Sequence, residues 1–79
     1  MPTLFTIFGL RFYFYANDHY PIHVHVDYQE ATAVIQVFPW VKVTQNHGFK
    51  KNDLRKAMWI VQTRQLEIIR AWNECFNKK

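Results

Sequence analysis

Seventy-nine residues, 49% apolar and 18% aromatic, suffice for one small packed domain and are too apolar for a disordered chain. The formal charge of +4 is compatible with nucleic acid, an acidic protein partner or plain solubility. One cysteine, Cys75, excludes an internal disulfide and suits a reducing, cytoplasmic setting, and neither a signal-peptide pattern nor a membrane-length apolar run is present.

In chain order, Thr3 to Phe8 reads as a first strand, punctuated by Gly9. Arg11 to Tyr15 alternates, with Phe12 and Phe14 on one face and Arg11, Tyr13 and Tyr15 on the other. The Asn, Asp and Pro of Ala16–Pro21 mark a loop. In the third strand Ile22, Val24 and Val26 alternate with His23, His25 and Asp27, so one face is apolar and the other carries two imidazoles and a carboxylate. A turn near Tyr28-Gln29-Glu30 leads into Ala31–Phe38, and Val41 and Val43 extend the pattern briefly before the loop-like Gln45–Gly48. The expectation is a small, mostly antiparallel sheet of three or four strands, a β-meander, within residues 3–44.

The last third reads as one helix over residues 52–76, with Asn52 as N-cap and Asp53 at the positive end of the helix dipole. Its apolar stripe includes Leu54, Met58, Val61, Ile68, Trp72 and Cys75; Gln65 is the one polar intrusion, and a break near Thr63–Gln65 stays open. A continuous helix of that span is about 37 Å long at 1.5 Å per residue. Six-residue strands reach only about 20 Å. Trp72 and Phe76, on the overhanging turn, are therefore expected to meet a partner, so an oligomer through the helix is anticipated. The fold class is α+β, a single domain whose helix covers the face bearing Phe12, Phe14, Val24 and Val26.

In an antiparallel hairpin, opposed residues share a face. Pairing Tyr15 with His23, Tyr13 with His25 and Arg11 with Asp27 gathers a His/Tyr/Arg/Asp patch, to which the loop adds His19. Three chemistries fit. His23 and His25 serve as acid and base on RNA, with Arg11 steadying phosphorane charge and Tyr13 beside them. Alternatively His19, His23 and His25 bind zinc or copper, with Asp18 or Asp27 adding an oxygen, although no cofactor is required. In the third, Tyr15, His19, Asp27, Lys50, Lys51, Arg55, Trp72 and Phe76 contact a protein partner or nucleic acid without turnover. The segment His23-Val24-His25-Val26-Asp27 resembles part of the histidine-triad nucleotide-hydrolase motif, but Asp27 stands where the third histidine belongs.

Across nearly the whole chain, the opening Met1–Tyr15, the segment Asp18-His19-Tyr20-Pro21-Ile22-His23-Val24-His25-Val26, the stretch Gly48–Arg55 and the terminal Ala71-Trp72-Asn73-Glu74 resemble a family of small prokaryotic proteins, domain of unknown function 4160. The turn Tyr28-Gln29-Glu30 departs from the more Gly-rich or acidic turn expected there. The resemblance implies one component of a toxin–antitoxin-like two-gene module. It implies a small cognate protein from the adjacent gene as partner; RNA is a further ligand that the residues themselves, not the resemblance, admit. It carries no catalytic residue over and does not separate the toxic from the neutralising member.

Overall fold

The computed structural model describes residues 3–76. Five strands form one antiparallel meander in the order β1 (Thr3–Ile7), β2 (Leu10–Tyr13), β3 (His23–Tyr28), β4 (Ala31–Gln36) and β5 (Lys42–His47). Two helices follow, α1 (Lys51–Thr63) and α2 (Gln65–Phe76). The fold is α+β as expected, with five strands in place of three or four and two helices in place of one.

The fifth strand was hidden because nearly all of it is exposed. Lys42, Thr44, Gln45, Asn46 and His47 lie on a sheet edge, where backbone pairing with β4 holds them and no buried face imposes alternation. The sheet therefore runs to residue 47 instead of 44. The expected helix divides at Arg64, whose φ of −107° and ψ of 24° leave the helical region. The hydroxyl of Thr63 donates to Trp59 O at 2.8 Å, a local bond of the kind that bends helices. Gln65 explains its own polarity: its Nε2 donates to Val37 O at 2.8 Å, pinning the start of α2 to the end of β4. The N-cap is Lys50, not Asn52, and it makes no side-chain capping bond; Asp53 does lie in the first turn.

The turn between β1 and β2 has two central residues, Phe8 (φ 55°) and Gly9 (φ 80°). A tight hairpin that follows the sheet twist needs both in the left-handed region, which suits Gly9 and costs the bulky Phe8. A Cβ on Gly9 would also stand 3.2 Å from the Tyr28 ring.

Alternation sorts the sheet into two faces. Leu10, Phe12, Val24, Val26, Ala33 and Ile35 point to the helices and meet Ala57, Ile60, Val61, Ile68 and Trp72, all nearly or fully buried. Burial of this apolar surface is the main stabilising term. The overhanging turn is covered within the chain. Trp72 is fully buried, its ring 5.2 Å from Phe14, 5.8 Å from Tyr20 and 5.3 Å from His23, and Phe76 is half-buried against it. The loop 14–22 supplies the cover expected from a partner.

Candidate functional site

β2 and β3 pair with Tyr13 opposite His25 and Arg11 opposite Asp27, so these four side chains share the face turned away from the helices. The expected pairing of Tyr15 with His23 does not form, since β2 ends at Tyr13. Beyond that point the chain folds back over the sheet. The Asp18 N–H donates to Tyr15 O at 3.1 Å, and the Tyr15 N–H donates to Asp18 Oδ2 at 2.8 Å. This reciprocal clasp aims the other Asp18 oxygen at the histidines. Oδ1 lies 3.1 Å from His23 Nε2 and 3.2 Å from His25 Nε2.

The group is partly enclosed, with side-chain exposures of 9% for Asp18, 18% for His23 and 14% for His25. The loop carrying Asp18 thus roofs this face. Tyr13 stacks on His25 with centroids 5.4 Å apart, Tyr15 meets the same ring edge-on at 4.3 Å, and Trp72 flanks His23. Burial pushes the Asp18 carboxyl up. The Tyr15 N–H, the bond to His25 and the nearby charges of both imidazoles outweigh it and hold the carboxyl below its ordinary range.

The other expected site residues fall into three places. Arg11 and Tyr13 serve Asp27: the Tyr13 hydroxyl donates to Oδ1 at 2.8 Å, and Arg11 lies 3.4 Å from Oδ2 while also donating to Thr3 and covering the Tyr13 ring. Burial above all, with hydrogen bonds involving Tyr15 and Asp27, pushes the Tyr13 hydroxyl well above its ordinary value, so it stays protonated. His19, next to Asp18 in sequence, is exposed and its ring pairs with Asn17 O at 3.3 Å; it lies outside the cluster. Lys50, Lys51 and Arg55 belong to the start of α1, at the opposite end of the sheet, where Lys50 lines a cavity of about 510 Å³ with Tyr28, Glu30 and Asp53.

Among the described residues, Asp18, His23 and His25 form a group able to hold a metal ion, with one donor atom from each lying within 4.8 Å of the others. Beside them is a cleft of about 210 Å³ lined by Tyr13, Tyr15, His25, Val34, Gln45 and His47. His47 was not singled out from the sequence. Only the strand pairing, Thr32 opposite His47, brings it onto this face.

The sequence model for the family described as Domain of unknown function (DUF4160) matches residues 9–73, which span the sheet from β2 onward, the Asp18 cluster and most of both helices. The chain belongs to that family. No curated protein and no solved structure matches it. This DUF4160 chain contains no helix, among the described residues, long and apolar enough to cross a membrane.

Proposed function

We propose that this DUF4160 protein is the RNA-acting component of a toxin–antitoxin-like two-gene module, with the Asp18–His23–His25 group at its working centre. The observation that carries the reading is where that group sits. The antiparallel register puts the loops 14–22 and 37–41 at one end of the sheet. That end presents the exposed rings of Tyr15, Tyr20, Phe38 and Trp40, together with Lys42. Single-stranded nucleic acid binds where aromatic faces stack bases and cations meet phosphates. Two imidazoles and a carboxylate beside such a surface form a polar centre for acting on a bound phosphodiester, by proton transfer or through a bound metal ion.

The proposed partner is a small protein from the adjacent gene. Trp59 and Leu66, exposed on the outer side of the two helices, offer it apolar surface; Trp72 lies inside the core and does not. Leu66 adjoins Gln65, which bonds Val37 O beside the loop 37–41, so a partner seated on Trp59 and Leu66 would lie next to the Asp18 end and control it by covering the loops.

The test is anisotropy of labelled single-stranded RNA with the tag-free protein, followed by gel analysis of the same RNA. Binding should weaken with salt, and Trp40→Ala should weaken it about tenfold, in line with one lost base stack. His25→Ala should abolish any cleavage while leaving most of the binding. No binding up to about 100 µM, the weak end of non-specific association, overturns the RNA reading.

A further inference from the structure

We infer that Asp18, His23 and His25 are the protein ligands of a divalent first-row transition metal, zinc or iron(II). The argument begins with one ring. His23 Nδ1 lies 2.8 Å from Pro21 O. A carbonyl only accepts, so Nδ1 carries the proton. A neutral ring then has a bare lone pair at Nε2, and that atom faces the Asp18 carboxylate at 3.1 Å. Lone pair against carboxylate is repulsive, so something positive belongs between them: a second ring proton or a metal ion.

The rest of the group favours the metal. His25 directs Nε2 at the same Asp18 oxygen from 3.2 Å. A single divalent ion satisfies all three donors, whereas protons alone require each ring to donate separately to one crowded oxygen. Donors bound at about 2.1 Å stand about 3.0–3.4 Å from each other in octahedral or tetrahedral sites, the spacing already present for both His–Asp pairs. No donor separation exceeds 4.8 Å, so reaching ligand spacing takes at most about 1.4–1.8 Å of relative movement, shared between the two rings.

The surroundings are also those of a ligand set. The far nitrogen of His23 is fixed by a backbone carbonyl, and the far oxygen of Asp18 by the Tyr15 N–H. Tyr13, Tyr15 and Trp72 form an aromatic wall around the rings. Two imidazoles and one carboxylate select zinc or iron(II) over magnesium or calcium, which take oxygen donors. Three protein ligands leave positions for water or a substrate oxygen, as in metal sites that react. The assignment stands apart from the RNA reading, and either can fail alone.

The experiment uses the full chain made without a polyhistidine tag, stripped with chelator, and titrated with Co²⁺ by visible absorption and with Zn²⁺ by competition against a chromophoric chelator. The expected result is one ion per chain. His23→Gln and His25→Gln should each weaken binding at least about 100-fold, more than loss of an outer-shell partner. His19→Ala and His47→Ala should bind as the parent does. Circular dichroism checks that each variant folds. Should a ligand variant not fold, the parent titration decides: well under one ion per chain, with no ligand-field absorption, overturns the site. Equal affinity in a folded variant lacking both histidines overturns it as well.

Discussion

Asp18→Asn separates what the carboxylate charge does from what its shape does. The side chain accepts the Tyr15 N–H at 2.8 Å and faces two imidazole nitrogens at 3.1 and 3.2 Å while 9% exposed. Asparagine keeps one acceptor for the backbone and loses the charge. Hydrogen bonds to a charged group are worth about 1.5–3 kcal/mol against about 0.5–1.5 kcal/mol for neutral ones, so the exchange should cost about 1–3 kcal/mol. For a domain of this size that is a drop of about 5–15 °C in Tm. The assay is urea unfolding of chelator-treated protein from pH 7 down to pH 3, so that any metal contribution is removed. The sign follows from linkage. The Asp18 carboxyl is held below its ordinary range in the folded state, so the unfolded chain binds the proton more readily. Its contribution is fully present above the unfolded pKa and is lost as pH falls through the folded one. Parent and variant should therefore differ at neutral pH and converge only below the usual aspartate range. A gap that stays constant down to pH 3, or a variant as stable as the parent at pH 7, would refute the charge argument.

Phe8, 72% exposed at φ 55°, buries little and occupies a conformation that costs a bulky residue about 1–2 kcal/mol. Phe8→Asn should raise stability by about 1 kcal/mol in urea unfolding, since asparagine tolerates the left-handed region better. Trp72→Ala should lose about 3–5 kcal/mol, as large core truncations do. Trp72→Phe should lose much less, because Nε1 of Trp72 is buried with no hydrogen-bond partner among the described residues and phenylalanine has no such donor; equal losses in calorimetry would sink that reasoning. Gln65→Ala removes the bond to Val37 O and should cost about 1 kcal/mol, with hydrogen exchange rising first at the start of α2.

Where one face of an element is buried, the sequence carries its own geometry. The alternation Ile22-His23-Val24-His25-Val26-Asp27 places the imidazoles together on the face opposite Val24 and Val26, with the His23 ring reaching Trp72 of α2 at the end of the sheet, and the same constraint on Phe12 and Phe14 fixes the pairing of Tyr13 with His25. The limits of legibility follow from the same cause. β5 is an exposed edge whose order comes from backbone pairing, so its polar residues read as loop. In the helical third, Gln65 was the visible irregularity, but its meaning lay in a carbonyl 28 residues away, which no local period reports.

The candidate site shows this division most sharply, because one of its three members comes from a loop. His19 and Asp18 are neighbours, and a tally of ligand types favours the imidazole. The backbone decides otherwise. The clasp between Tyr15 and Asp18 closes a four-residue turn that points the aspartate inward and leaves His19 beside Asn17 on the outside. Aspartate is suited to that task because its side-chain oxygen can bond the main-chain N–H while a second oxygen remains free; an imidazole at the same position would have to give up one function for the other. Position 18 therefore has two tasks: a short side chain with an oxygen acceptor for the turn, and a charged second oxygen for the histidines. A glutamate side chain there, one methylene longer, should fail at the first task even where it could reach the second. Asp18→Glu is thus expected to lose loop order, read as faster amide exchange at Tyr15, before it loses the fold.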